Sequence, residues 1–410
     1  MTWLTTPAHH RWLESESARL LDFGRGSRHP RGGFGGVDAQ GTLAEDADAE
    51  LWITCRMTHC YALATLMGRP GSAALVDHGI DALRSRLRDD EHGGWFAAVG
   101  AEGPTDDSKQ AYAHAFVVLA ASSAAAAGRP EARDLLDEAL EVIEKHFWDD
   151  DAQTTREDFS RDWEALEDYR GLNSTMHMVE AFIAAADVTG ERVWLDRATR
   201  IVERVMYDLA PRHDWRLPEH FDSAGTVQLD YNADDPKHPF RPFGATIGHG
   251  FEWARLTVQL AVSLQQRGLG APEWMVDSAR ALYDASARDG WTVDGQRGFV
   301  YTVDWEGQPV VRERMHWVSA EAIAAAAVLW RATKVPMYAE NYQEWWDFVG
   351  DHHLDLKDGS WWHELDPHLQ VAGTVWPGKV DLYHALQATL IPRLPVTPSL
   401  ASSLAAGNLP

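Results

Sequence analysis

Six pairs of residues interrupt otherwise apolar stretches of this chain: Arg56 and His59, Tyr112 and His114, Asn173 and His177, His249 and Glu252, Trp317 and Glu321, Asp381 and His384. His249 and Glu252 are three apart, so an imidazole and a carboxylate share one face of a first helical turn. Singly, each pair has a plain structural use. His59 and His114 read as core histidines or as supports behind a site, Asn173 as a helix cap, and Arg56 as a buried partner of Glu321 or Glu252. Together they place imidazoles, a guanidinium and carboxylates at the starts of six helices. That set suits proton transfer, because an imidazole titrates near neutral pH. Two histidines on different helices can serve the two ends of a proton shift.

Other chemistries lack their motifs. There is no HExxH, CxxC or EF-hand loop, and we expect no metal and no cofactor. The run Arg31-Gly-Gly-Phe-Gly-Gly follows no clear strand and has neither a P-loop lysine nor the dinucleotide pattern. No Gly-x-Ser-x-Gly elbow is present. His352-His353 falls on a charged helix and is expected to be solvated.

The elements that carry the pairs alternate in kind. Segments 9–23, 72–88, 131–147, 192–209, 273–288 and 338–351 are charged on one side and apolar on the other. Segments 51–68, 110–127, 172–189, 250–266, 317–333 and 380–391 are apolar nearly all round, which predicts burial on all sides. Between them recur Gly33-Phe34, Gly94-Trp95, Gly298-Phe299 and Gly359-Ser-Trp361, each read as a short hairpin. Six helical hairpins whose inner members need cover predict a closed all-α (α/α)6 barrel, since a closed ring leaves no bare end repeat. An open solenoid is the alternative. We expect one catalytic domain over 1–392 and a tail over 393–410, a surface strap or disordered. Parallel inner helices would bring their starts, with their positive dipole ends, to one funnel.

Composition narrows the ligand. A formal net charge of −25 argues against nucleic acid and anionic membranes, and suits a neutral small molecule. The 19 tryptophans include ready platforms for sugar rings. The uncharged run 111–128 reads as a buried core helix rather than a membrane span. Cys55 and Cys60 are five apart on one helix, point in different directions and predict no disulfide. With no export signal at the N-terminus, a cytoplasmic location is expected. Either a monomer or a homodimer fits.

The strings Arg241-Pro-Phe-Gly-Ala-Thr-Ile-Gly-His249-Gly-Phe-Glu252-Trp-Ala-Arg255-Leu, Leu51-Trp-Ile-Thr-Cys-Arg56-Met and Asp381-Leu-Tyr-His384-Ala resemble the N-acylglucosamine 2-epimerase superfamily. The Gly-His-x-x-Glu-Trp-x-Arg-Leu form is most similar to its aldose–ketose isomerase branch, the mannose and sulfoquinovose isomerases. The resemblance spans nearly the whole chain and implies a metal-free (α/α)6 enzyme acting on a monosaccharide. It implies His249 and His384 as the acid/base pair, Arg56 on substrate oxygens and His177 on the sugar. It implies Glu252 and Glu321 as acidic groups that bind hydroxyls or orient the histidines, and Arg241 as a loop arginine at the site. Tyr112, Asn173 and Trp317 join the expected substrate-binding residues by position.

The expected reaction is D-mannose to D-fructose, with D-lyxose to D-xylulose as a five-carbon counterpart, by ring opening and proton transfer through a cis-enediolate. A sugar 2-epimerase or a sulfoquinovose isomerase on the same scaffold is the near alternative. The sulfonate would need a second cation, from Arg241 or Arg314. A glycosidase or lyase using carboxylates drawn from Asp106, Asp107 and Glu313, or a non-catalytic sugar-binding barrel, is the distant one.

Overall fold

The computed structural model describes residues 2–409; Met1 and Pro410, the outer limits of the expected barrel and tail, lie outside the described residues. Helices alternate as the hydropathy pattern requires. The outer–inner pairs, in chain order, are α1 (Pro7–Phe23) with α2 (Leu51–Leu66), α3 (Ser72–Arg84) with α4 (Ala111–Ala126), and α5 (Ala132–Val142) with α6 (Leu172–Thr189). There follow α7 (Arg192–Val202) with α8 (Ile247–Gln266), α9 (Trp274–Gly290) with α10 (His316–Thr333), and α11 (Pro336–His352) with α12 (Tyr383–Leu390). The outer helices α5 and α7 continue into π-helical turns, Ile143–Phe147 and Glu203–Leu209.

Each inner helix packs on the next, α2 on α4, then α6, α8, α10 and α12, and α12 returns to α2. The ring is closed, an (α/α)6 barrel, and the open-solenoid alternative falls. Burial follows the composition. Every residue from Leu51 to Ala64 of α2 is buried, whereas α3 buries only the side that holds Leu75, Val76, Ile80 and Leu83.

Short strands set the level at which the inner helices begin. The two residues before α2, Ala49–Glu50, pair with Ala98–Val99 of the following hairpin. Arg170–Gly171 before α6 pairs with His220–Phe221, Ala245–Thr246 before α8 with Thr302–Val303, and Arg314–Met315 before α10 with Glu364–Leu365. The first amide of α2 donates to the Ala97 carbonyl (2.9 Å), that of α6 to Glu219 (2.9 Å), that of α8 to Tyr301 (3.1 Å) and that of α10 to His363 (2.9 Å). These bonds satisfy donors that a helix N-terminus leaves orphaned. They also stitch each hairpin to its neighbour, so the helix starts lie side by side at one end of the ring.

Two expectations are corrected here. The tail is neither a strap nor disordered: residues Leu400–Ala405 form a helix, α13, that is largely buried and packs on α2, α4 and α6 at the far end of the barrel. Its Ala/Ser/Leu composition, read as low order, is that of a small plug. The Gln259 side chain of α8 donates to the Thr397 carbonyl (3.1 Å) and fixes it. His353 is not solvated. It is fully buried, and its Nδ1 donates to the Trp362 carbonyl at 2.9 Å, because the chain turns inward at the end of α11. Cys55 and Cys60 are buried and unpaired, as expected. Among the described residues no helix is long and apolar enough to cross a membrane.

Candidate active site

The aligned helix starts enclose an open cavity of ≈ 560 Å³, mouth included. Its wall contains Arg56, Tyr112, Asn173, His177, His249, Glu252, Trp317, Asp381 and His384, so most of the expected residues converge. Trp52, Phe240, Tyr301 and Trp376 supply the aromatic faces.

The two expected acid/base histidines are built alike. His249 Nδ1 lies 2.7 Å from Glu219 Oε2, and His384 Nδ1 lies 2.9 Å from Glu321 Oε1. A carboxylate accepts only, so each ring donates from Nδ1 and leaves Nε2 without the ring proton. The Trp317 indole stands between them, its centroid 5.1 Å from the His249 ring and 5.5 Å from the His384 ring. Burial holds the His384 pKa below its ordinary value, against the pull of Glu321, so the ring is a neutral base at pH 7.

Behind His384 runs a buried chain of charge. Arg255 Nε donates to Glu321 Oε2 (2.9 Å), its Nη2 to Glu252 Oε1 (3.1 Å) and its Nη1 to Gln259 Oε1 (2.9 Å). Burial, then the Glu321 charge, pushes the Glu252 pKa well up. For Glu321 burial acts upward too, but Arg255 and His384 outweigh it and the pKa is lowered. Of the two carboxyls Glu252 is therefore the one that holds a proton more readily, and Glu321 stays ionised. Among the described residues Glu252 Oε2 has no hydrogen-bond partner.

Arg56 is gripped on two sides, Nη1 to Asp381 Oδ2 (2.9 Å) and Nη2 to the Tyr112 hydroxyl (2.7 Å). Its guanidinium carbon lies 4.5 Å from the Phe116 centroid and 4.7 Å from that of Tyr383, within cation–π range. The sequence reading that paired Arg56 with Glu321 or Glu252 is corrected: Arg255, one turn below Glu252 on α8, takes both carboxylates. Burial pushes Asp381 up, but Arg56 outweighs it and the carboxyl stays below its usual range. Burial also lowers His177 to about 3, and its Nδ1 lies 3.6 Å from Glu180, too far for a hydrogen bond. The Asn173 amide is directed at the Phe240 carbonyl (3.5 Å) rather than capping α6.

Two expected binding residues stand elsewhere. Glu321 lies behind His384, bonded to its Nδ1 and outside the cavity wall. Arg241 lines an adjoining outer cavity that shares Trp52, Tyr112, Asn173 and Phe240 with the inner one. There it is held by Glu167, Nη1 to Oε1 at 2.6 Å and Nη2 to Oε2 at 2.9 Å. Arg314 is fully buried on Asp294 (2.6 and 2.8 Å). Of the carboxylates weighed for a glycosidase, Glu313 is tied to Lys237, Asp106 lines the outer cavity, and Asp107 is in neither cavity.

Sequence reasoning missed Glu219, Glu180, His316 and His363. Glu180 follows His177 by three residues, an i,i+3 signal that was available, and it accepts from the Tyr383 hydroxyl. Glu219 and His363 come from irregular segments without periodicity. Donor atoms of His177, Glu180 and Glu252, and of Glu252, Glu321 and His384, converge closely enough to suggest a cation site. Arg255 already bonds both Glu252 and Glu321, so these two carboxyls are taken by a guanidinium rather than left for a metal.

A family model described as N-acylglucosamine 2-epimerase matches residues 32–388. A D-mannose isomerase of Thermobifida fusca is 51% identical over 405 residues, covering 98% of this chain and 98% of that protein. One of Pseudomonas cannabina pv. alisalensis is also 51% identical over 405 residues, covering 98% of this chain and 97% of that protein. A crystal structure of a D-mannose isomerase is similar at a TM-score of 0.87 with 28% identity, over 95% of this chain and 99% of that one.

Proposed function

This chain belongs to the N-acylglucosamine 2-epimerase family, and we propose that it is an aldose–ketose isomerase interconverting D-mannose and D-fructose, with D-lyxose and D-xylulose as the five-carbon pair. The observation that carries the reading is the matched pair of histidines, His249 on Glu219 and His384 on Glu321, facing one cavity across Trp317. The two full-length relatives named D-mannose isomerase support the choice of sugar.

The opened aldose binds with C1 and C2 between the two imidazoles. His384 Nε2 removes the proton from C2. The electron pair moves into C1–C2 and the carbonyl oxygen at C1 takes up charge, which Arg56 and the helix starts stabilise. His249 Nε2 serves the oxygen protons, taking one from O2 and passing it to O1. The proton on His384 returns at C1 as the carbonyl forms at C2, giving the ketose with no net change in atoms. His177, Asn173, Tyr112 and Glu252 hold the hydroxyls. A base on one face that returns its proton to the neighbouring carbon gives isomerisation rather than epimerisation at C2.

Glu167 neutralises Arg241 and Asp294 neutralises Arg314, which favours a neutral sugar over a sulfonate. The chemistry requires no metal. Two free cysteines suit a reducing cytoplasm.

The test is incubation with D-mannose, N-acetylglucosamine, cellobiose and sulfoquinovose in turn, in D2O, with analysis of the sugars. We expect fructose from mannose alone, with some deuterium at C1. Cleavage of cellobiose, or epimer without ketose, would overturn the reading.

A further inference from the structure

His249, Glu252, Arg255 and Gln259 of α8 are spaced three, three and four apart and so share one face of that helix. The first two line the cavity. Gln259 lies roughly 15 Å along the helix from His249, and the mechanism gives it no part. It is 5% exposed, yet all its polar capacity on this face is used. Its Nε2 donates to the Thr397 carbonyl at 3.1 Å and to the Pro398 carbonyl at 3.2 Å, and its Oε1 accepts from Arg255 Nη1 at 2.9 Å.

The polarity of these bonds leaves the amide one orientation. Backbone carbonyls only accept and a guanidinium only donates, so the nitrogen faces the tail and the oxygen faces Arg255. A flipped amide would set donor against donor and acceptor against acceptor in a buried place. The same logic carries onward. With Nη1 on Gln259 and Nη2 on Glu252, the guanidinium plane is fixed and Nε points at Glu321 Oε2 (2.9 Å). The other oxygen of Glu321 accepts from His384 Nδ1 (2.9 Å). An unbroken chain of hydrogen bonds thus runs from the tail carbonyls to the imidazole of His384, with every donor meeting an acceptor.

Building on the isomerase reading, we propose that Gln259 is a positioning residue that ties the C-terminal tail to His384: the tail carbonyls fix its amide, the amide fixes the Arg255 guanidinium, and Arg255 holds Glu321 against His384 Nδ1. Without the Gln259 oxygen the guanidinium can turn, and Glu321 no longer keeps the imidazole in one tautomer and orientation. A residue that only packed the barrel floor would act on the whole fold and not on His384 in particular.

The paired histidines supply their own control. Wild type should show two far-downfield imidazole N–H resonances in its proton NMR spectrum, one for each histidine bonded to a glutamate, and His249→Ala and His384→Ala assign them. Gln259→Met keeps the length of the side chain and removes both polar atoms. We expect it to shift or broaden the His384 resonance and leave that of His249 in place. It should lower kcat on D-mannose about tenfold, the scale of one charge-assisted hydrogen bond, and change KM less. Gln259→Glu keeps an acceptor for Arg255 and should recover part of kcat, at a lower melting temperature because a carboxylate cannot donate to the tail. Should the methionine variant not fold, Gln259→Asn, one methylene too short to span both partners, reads the same resonances. An unmoved His384 resonance, or equal movement of both resonances, would overturn the proposal. Wild type inactive on mannose would instead overturn the isomerase reading and leave the resonances as the test of the chain.

Discussion

Gly248 lies flat against the Trp317 indole. A Cβ at position 248 would overlap the ring, 2.6 Å from Cη2. The glycine inside the first turn of α8 is therefore what lets the indole stand between His249 and His384. Replacing a helical glycine with alanine usually gains about 1 kcal/mol of helix propensity. Here the gain is offset by overpacking of about 1–3 kcal/mol. Gly248→Ala should fold, shift the tryptophan emission and lower kcat/KM by about a hundredfold, the order that a small displacement of catalytic groups produces. Unchanged activity would mean that the indole does not set the spacing of the two rings.

His249→Ala and His384→Ala should each lower kcat by about two to four orders of magnitude with the fold intact. The double variant should be little worse than either single one, since either loss breaks one proton path. Glu219→Gln and Glu321→Gln should do less harm than removal of their histidines, because the ring remains but loses the group that fixes its tautomer. An active His384→Ala enzyme would refute the proton route.

Arg56 joins Asp381 and Tyr112 at once, which a planar guanidinium can do and an ammonium cannot in the same geometry. Arg56→Ala leaves Asp381 buried and unpaired, a cost of about 3–5 kcal/mol, and should lower both the melting temperature and turnover. Arg56→Lys should keep most of the stability and lose turnover. Melting curves beside kcat separate the two effects.

Acid should unfold this barrel early. Burial depresses His177 to about 3 and His59 and His363 to about 4, against an ordinary value of 6.5. Between those values the unfolded chain binds more protons than the folded one. The stability is therefore present above pH 6.5 and is lost as pH falls through the folded values. Glu157 works in the opposite sense. Burial and then Asp158 raise its pKa to about 8, so its contribution is present below 4.5 and is lost as pH rises through 8. Melting temperatures measured from pH 4 to 9 should peak in the middle of that range; a flat profile would contradict the burial of these groups.

Activity should survive exhaustive chelation. Arg255 occupies the carboxylates of Glu252 and Glu321 that a divalent ion would need. Loss of activity with EDTA, restored by one added metal, would contradict this.

The ring and the lining of the funnel were legible because they rest on periodicity. A helix apolar on all sides has few places to go but a barrel interior, and polar residues at its start stand out against that background. Glu219 was not legible, because it sits in Leu217-Pro-Glu219-His220, an irregular stretch where nothing but the folded position of His249 gives it meaning. His363 was hidden for the same reason, and the tail because its Ala/Ser/Leu composition reads as low order until the barrel it packs on is present. Arg255 stood in the motif, but its partners come from α8 itself and α10, and a distance across the ring has no trace in spacing. Arg241 was placed by resemblance, and the structure gives it Glu167 instead.

The Arg56–Asp381 ion pair crosses the seam where the last repeat meets the first, 325 positions apart. On a ribosome adding about 5–20 residues per second, on the order of 16–65 s separate the emergence of the two partners. Until Asp381 emerges the Arg56 guanidinium lacks its carboxylate and has only the Tyr112 hydroxyl and nearby aromatic rings, and the apolar sides of α2 and, once made, α10 that α12 will cover stay open. The reaction centre therefore cannot be assembled in stages. It appears when the ring shuts, so a nascent chain lacking the sixth repeat has no partial activity and depends longest on protection from aggregation.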